Sequence, residues 1–346
     1  MPYLHAPEDL AEVVGEGPSY RVRQLHDWLY RTPVLHAGDM TNLPGPLRSR
    51  LEETLWPFDV EMEQGADAGT TRKWLFRARD GAAIESVLMG YPKRATLCIS
   101  SQAGCALACT FCATGQFGFE RHLEAGEIVA QVAYAQAFLR QIGMPGVPNR
   151  LTNVVFMGMG EPLANFTRVR EALRRMIEVM GMSARSITVS TVGMIPGINL
   201  LAEEPWPVYL AISLHAADNE LRSSLVPINR RYPIEELEKA AWNYFEKKGR
   251  RLSIEWTMMD GVNDTDAQAR KLAAIAKRLR AHVNLIALNP TPLSEERASS
   301  RLAISEFAGV LKSLGVNVTI RDTRGREIDA ACGQLRVLAS NRSEAG

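Results

Sequence analysis

Apolar positions change their spacing along this chain. In "PSYRVRQLHDWLYR" they recur at helical intervals and put Val22, Leu25, Trp28 and Leu29 on one face, with Ser19 placed as an N-cap. "NLPGPLRSRL" then breaks the pattern with proline and glycine. "RKWLFRARDGAAIESVLM" reads as two short strands about the turn "RDGA". Residues 1–80 are therefore expected to form a small accessory domain, helical with short strands.

From about residue 95 a strand-then-helix rhythm takes over. The strand segments are "ATLCIS", "LTNVVFMG", "SITVSTV", "VYLAISL", "LSIEWTMM", "HVNLIAL" and "NVTIRD". Helical segments fall between most of them: "LEAGEIVAQVAYAQAFLRQI", "TRVREALRRMIEVM", "IEELEKAAWNYFEKK", "DAQARKLAAIAKRL" and "AISEFAGVLKSL". Strands rich in Val and Ile without alternation suit a parallel sheet covered on both faces. The prediction is an α/β fold, a complete or partial barrel of six or so βα units over residues 91–330, followed by a short segment 331–346. In such barrels function gathers at the C-terminal ends of the strands. There stand "SSQAGC", "GMGEP", "STVGM", "SLHAA", "MMDGVND" and "NPTP".

Composition narrows the class. The chain is 46% hydrophobic and 23% charged, as in ordinary globular proteins. The opening "MPYLHAPEDLAEVVGEG" has acidic residues where a signal peptide is basic and apolar, and no apolar run approaches the ~20 residues of a membrane span. Five cysteines, four of them within residues 98–112, do not make a secreted disulfide framework. A cytoplasmic chain with metal-binding or catalytic thiols, and no membrane partner, is expected. Residues 1–90 carry 9 Lys+Arg against 14 Asp+Glu, leaving 31 against 25 for the remainder. That asymmetry permits a nucleic-acid partner without demanding one. The basic stretches "RVREALRR", "EKKGRR" and "RKLAAIAKRLR" read more readily as solvated helix faces than as phosphate contacts.

"CALACTFC" sets Cys105, Cys109 and Cys112 at CxxxCxxC spacing after the first barrel strand. Three thiolates on one loop can hold three corners of a [4Fe–4S] cube and leave the fourth iron open. A zinc site wants four closed ligands, the fourth from Cys98, Cys332 or His122. At the other strand ends, Gly160 allows close approach of a ligand and Glu161 can meet an ammonium group. Ser190, the Ser213–Leu214–His215 run and Asn289 offer hydroxyl, backbone and amide groups. Each alone is a weak signal; their joint placement at successive strand ends carries the argument.

CxxxCxxC with Phe111 before its last cysteine resembles the radical S-adenosylmethionine (SAM) superfamily, in which SAM chelates the open iron and is cleaved to a 5′-deoxyadenosyl radical. The stretches "RATLCISSQAGCALACTFCATGQFGF", "VVFMGMGEPLAN", "ITVSTVGMIP", "AISLHA", "VNLIALNP" and "DTRGREIDAACGQL" together resemble the RlmN/Cfr family of radical SAM RNA methyltransferases, on the RlmN side. The resemblance implies a partial (βα)6 TIM-type barrel, one [4Fe–4S] cluster on Cys105, Cys109 and Cys112, and two SAM molecules per turnover. It implies SAM contacts from Gly160, Glu161, Ser190, Ser213, Leu214, His215 and Asn289. It makes Cys332 the methyl carrier, Cys98 the thiol that resolves the RNA adduct by forming a disulfide with it, and Glu85 the proton acceptor. The implied target is carbon 2 of an adenosine in the peptidyl-transferase region of 23S rRNA and of the adenosine 3′ of the anticodon in tRNA. A one-electron reductant such as flavodoxin and a monomeric enzyme complete the expectation. Three alternatives stand beside it: carbon-8 methylation of the Cfr type, a radical SAM enzyme for a small molecule or protein, and a non-catalytic zinc or Fe–S RNA-binding module.

Overall fold

The computed structural model describes residues 1–289, 291, 294–321, 324–330 and 333–335. Three short helices open it: α1 (Leu10–Val14), α2 (Tyr20–His26) and α3 (Gly45–Glu52). Leu25 and Leu29 are buried on the face the spacing predicted, with Val22 and Trp28 half-buried at its margin. Ser19 does not cap α2. Its backbone is already helical and its side chain makes no capping bond.

An antiparallel meander follows, β1 (Phe58–Ala66), β2 (Thr71–Ala78) and β3 (Ala83–Tyr91). The last two are the expected pair, longer than "short" and joined through residues 79–82. The sheet then continues without a break, because β4 (Arg94–Cys98) pairs antiparallel with β3. β4 also begins the parallel part of the sheet, followed by β7 (Asn153–Phe156), β8 (Ile187–Thr191), β9 (Tyr209–Ser213), β10 (Ser253–Met258), β11 (His282–Ala287) and β12 (Val318–Ile320). Between β4 and β7 lies a hairpin of β5 (Gln102–Gly104) and β6 (Phe119–His122), with the cysteine loop and the one-turn α4 (Ala113–Gln116) between its arms. The strand order runs linearly from β1 to β12, so the parallel strands form an open, partial barrel among the described residues.

Helices cover this sheet: α5 (Ala125–Gln141), α6 (Phe166–Arg174), α7 (Ile195–Glu203), α8 (Asn219–Leu225), α9 (Ile234–Lys248), α10 (Asp266–Arg278) and α11 (Arg301–Ser313). α5 is buried on nearly every side, which explains its many alanines: a helix wedged between two layers has no solvent face to make polar. Its Tyr134 meets Trp56, Phe76 and Trp74 edge-on with ring centroids 5.2–5.4 Å apart. This aromatic cluster joins the amino-terminal helices, the meander and α5 into one core.

The first residues are fastened to the helix layer by buried contacts. Arg175 is 5% exposed and donates to the carbonyls of Tyr3 (2.9 Å) and His5 (3.0 Å) and to Glu171 Oε1 (2.7 Å). Gly126 on α5 permits the approach, since a Cβ there would run into the Tyr3 carbonyl. Gly126→Ala should therefore lower stability by about 1–3 kcal/mol from overpacking, against a helix-propensity gain of about 1 kcal/mol. A lower denaturant midpoint at unchanged m checks this; an unchanged or higher midpoint contradicts it.

Candidate active site

The loops at the C-terminal ends of the strands are tied together before any cofactor is considered. Ser100 follows β4 and is fully buried. Its hydroxyl donates to the Glu85 carbonyl on β3 (2.6 Å) and accepts from Met159 N after β7 (2.9 Å). Gln131 of α5 takes up both backbone groups of Ser100: Oε1 accepts its N–H (2.9 Å) and Nε2 donates to its carbonyl (3.0 Å). The same Oε1 accepts from the Ser86 hydroxyl at 2.7 Å. Gln102 Oε1 accepts Glu161 N at 2.8 Å. Asn165 donates to the carbonyls of Ser101 and Leu123. Gly160, at φ +94°, has no room for a Cβ because the Gln102 side chain fills that space.

These loops enclose a cavity of about 970 Å³ counting its open mouth. Cys105, Cys109 and Cys112 line it, with Leu107 and Phe111 from the same loop. Gly160, Glu161, Ser190, Ser213 and His215 line it from β7, β8 and β9, and the Ser190 and Ser213 hydroxyls lie 3.3 Å apart. Eight of the thirteen residues singled out from the sequence therefore face one space.

Four ionisable groups lining this space are perturbed. Burial pushes the Cys105 thiol up to about 12, helped by repulsion from Cys112 and Glu161. Burial and the two neighbouring thiols raise Cys109 well above its ordinary value. Burial pushes the Glu161 carboxyl up to about 7, against the amide N–H groups of Val192 and Leu163 that donate to it (3.0 Å each). His215 is held neutral, its value lowered to about 3 by burial and then by the Arg222 charge. Thr257 N donates to His215 Nδ1 at 3.0 Å, so the remaining proton sits on Nε2. His215 itself has φ +60°, a left-handed conformation costly for a side chain with a Cβ. Asn263 holds it there by donating to its carbonyl at 2.8 Å.

The other five residues are placed differently. Leu214 is buried and both its backbone groups are engaged: N–H donates to Glu255 O (3.1 Å), and the carbonyl accepts from Arg222 Nε (3.1 Å) and Ala216 N (2.8 Å). Asn289 is buried just beyond β11, next to Leu288, which lines the cavity, and is not itself among the lining residues. Cys98 ends β4 opposite Val87, so Cys98, Val87 and Glu85 share one face of the β3–β4 pair. Glu85 forms a buried ion pair with Lys73 Nζ at 3.0 Å, and that ammonium also reaches the Asp329 carbonyl at 3.5 Å. Cys332 lies outside the described residues. The next residue, Gly333, lines the cavity, and its carbonyl accepts Ala113 N directly after Cys112 at 2.8 Å.

Sequence reasoning passed over several residues here. Glu255 and Thr257 line the cavity from β10; the signal was a carboxylate inside the apolar run "LSIEWTMM". Arg222 of α8 is fully buried and carried no motif signal. The basic stretches turn out to be largely paired: Arg168 with Glu124, Arg170 with Glu204, Arg174 with Glu8 and Glu171, Arg270 with Asp266, Lys271 with Asp218 and Arg278 with Glu238.

The donor set fits an iron–sulfur cluster. The three thiols share one loop, and burial holds two of them, Cys105 and Cys109, in the neutral form until a cationic partner is beside them. Among the described residues, no three His, Cys, Asp or Glu side chains stand close enough to hold a single metal ion. Glu161, Ser190, Ser213 and His215 supply polar groups for a second, organic ligand beside it.

Comparison with known proteins agrees with this class. The radical SAM superfamily model matches residues 99–273, and the partial barrel with its cysteine loop defines a radical SAM enzyme. A radical SAM methyltransferase from Sphaerobacter thermophilus superposes with a TM-score of 0.89 at 46% identity, covering 97% of this chain and 98% of that one. The probable dual-specificity RNA methyltransferase RlmN of Parafrankia sp. (strain EAN1pec) is 50% identical over 95% of this chain and 89% of its own length. That of Frankia alni is 52% identical over 96% of this chain and 81% of its own length. The chain belongs to the RlmN family of radical SAM RNA methyltransferases.

The imidazole makes a checkable prediction. His215 should keep an unprotonated Nδ1 from pH 8 down to pH 5 in histidine-selective ¹⁵N NMR. Because its folded value is depressed to about 3, the unfolded chain takes up a proton that the folded one refuses. Stability is therefore present above the unfolded value of about 6.5 and falls as pH drops towards 3, by about 1.4 kcal/mol per unit from this group. Titration of His215 near pH 6.5 would contradict the burial argument.

Proposed function

We propose that this enzyme methylates carbon 2 of an adenosine in RNA, with targets in the peptidyl-transferase region of 23S rRNA and 3′ of the tRNA anticodon. The observation that carries the reading is a convergence: the three-thiol loop, Glu161 and the residue after Cys332 all line one cavity. When bound, one [4Fe–4S] cluster on Cys105, Cys109 and Cys112 supplies the electron that cleaves SAM to the radical which draws a hydrogen atom from a methyl group.

The chain's own residues do the rest. Glu161 and the backbone at Gly160 hold the amino-acid end of SAM; a carboxyl with a value near 7 ionises readily once an ammonium group is beside it. Ser190, Ser213, the neutral His215 and the Asn289 amide orient the nucleoside end, with Leu214 shaping the wall behind them. Cys332 accepts a methyl group from a first SAM as thiolate; that sulfur-bound methyl, activated by a second SAM, forms the new bond to the base. Glu85 takes the proton lost from carbon 2. Once the adduct has also given one electron back to the electron donor, the Cys98 thiolate attacks the Cys332 sulfur. The S–C bond breaks with its electron pair going to the RNA-bound carbon, which takes up a proton to become the methyl group, and a Cys98–Cys332 disulfide is left. Residues 1–80 contact RNA, residues 91–330 form the catalytic core, and residues 331–346 follow on from the carrier. The protein acts as a monomer in the cytoplasm, reduced by a flavodoxin-like donor. A base deep in this cavity must leave its stack to react.

Anaerobic reconstitution with iron and sulfide, followed by methyl-labelled SAM and RNA, tests the reading. Label on carbon 2 of adenosine is expected; label on carbon 8, or none, overturns it. Cys332→Ala should abolish transfer while the brown cluster chromophore stays. Cys98→Ala should accumulate a covalent protein–RNA adduct visible on a denaturing gel, and free turnover by that variant would remove Cys98 from the mechanism.

A further inference from the structure

Arg222 is the one fully buried arginine among the described residues, 0% exposed on α8. Its guanidinium donates to three neutral oxygens: the Leu214 carbonyl (Nε, 3.1 Å), Asn229 Oδ1 (NH1, 2.8 Å) and the Val192 carbonyl (NH2, 2.5 Å). No carboxylate pairs with it among the described residues. Burying a cation costs several kcal/mol unless an opposite charge repays it. Neutral side chains tie carbonyls without that cost, so hydrogen bonding alone does not explain an arginine here.

The missing charge has a place. α8 ends directly on the cysteine loop: the Leu225 carbonyl accepts Thr110 N at 3.2 Å, and Leu225 and Val226 pack in one cluster with Cys109 and Phe111. The guanidinium lies within electrostatic reach of the Cys109 sulfur. We propose that Arg222 is the buried counter-charge of the cluster held by Cys105, Cys109 and Cys112, and that it raises the cluster's reduction potential. The inference rests on the cluster assignment of the preceding section. A [4Fe–4S] core of charge +2 on three thiolates carries net −1, and one electron takes it to −2. A fixed cation at low dielectric favours the more negative state. Arg222 is thus a positioning residue in the electrostatic sense: it is not among the residues lining the cavity, and it sets how easily the electron arrives.

The test is a mediated dithionite titration of the reconstituted full-length protein, without SAM or RNA, following the reduced cluster by EPR. Wild type, Arg222→Gln, Arg222→Lys and Asn229→Asp are compared. Asn229→Asp leaves the arginine in place and neutralises it through the existing NH1 contact. Removing or neutralising the charge should lower the equilibrium constant for reduction on the order of tenfold, about 59 mV for one electron, in Arg222→Gln and Asn229→Asp. Arg222→Lys should stay within about threefold of wild type. Unchanged potentials in Arg222→Gln or Asn229→Asp overturn the proposal. If Arg222→Gln loses the cluster or the fold, Asn229→Asp and Arg222→Lys decide. Loss in those two as well overturns the proposal, because the arginine's carbonyl ties rather than its charge would then be what the site needs. A wild-type protein that forms no [4Fe–4S] cluster refutes the cluster assignment instead.

Discussion

The site depends on the hydroxyl of Ser100 and the amide of Gln131. Parallel strands end in loops whose backbone groups have no ladder partners, and loops gathered round a cavity cannot all turn to water. Here one buried serine joins β3 to the glycine-rich loop after β7, and one buried glutamine of α5 takes up both backbone groups of that serine. A buried polar group left unpaired costs about 1–3 kcal/mol, so removing either residue strands several at once. The glycines answer the same constraint from the steric side. The "GMGEP" turn lies so close to the loop after β4 that a Cβ on Gly158 would meet the Ile99 carbonyl, and one on Gly160 the Gln102 side chain. Close packing brings Glu161 to the cysteines.

Inside that frame the cavity gathers groups that destabilise one another. Two thiols with raised values, a carboxyl pushed up to about 7 and an imidazole pushed down to about 3 share one wall, with a buried guanidinium behind the cysteine loop. The charged form of each is unfavourable at low dielectric. Together they form a complementary set for a cluster of net negative charge next to a ligand with an ammonium group. Functional sites are where a fold tolerates such local conflict, and here most of it lies within the reach of two ligands.

The barrel was legible in the sequence because parallel strands covered on both faces must be written in Val, Ile and Ala. α9 spans the same residues as its segment, Ile234–Lys248. The failures have equally physical causes. β1 is exposed along most of its length, so "FDVEMEQGA" shows no apolar face to read. α7 opens with Ile-Pro-Gly and α8 runs only seven residues, too short for a periodicity to declare itself. At the site, the groups proposed to meet ligands were visible through their motifs. Ser100, Gln131, Asn165, Asn263 and Arg222 were not, because a supporting residue is defined by what lies across the fold from it.

The carboxyl-terminal segment ties the meander to the cysteine loop. Residues 324–330 run against the β1–β2 turn: Gly325 N donates to Asp67 Oδ2 at 3.0 Å, and Arg324 NH1 donates to Thr70 Oγ1 at 3.1 Å. Lys73, the partner of Glu85, reaches the Asp329 carbonyl. Residues 333–335 are held by α4, through Ala113 N to the Gly333 carbonyl and the Thr114 hydroxyl to the Leu335 carbonyl at 2.6 Å. The segment is thus anchored on both sides of position 332, once by the meander and once by the helix that follows the last cluster-loop cysteine. On this geometry the accessory strands and the cysteine loop are two halves of one clamp, and the β3–β4 pairing that makes the sheet continuous keeps the halves in register.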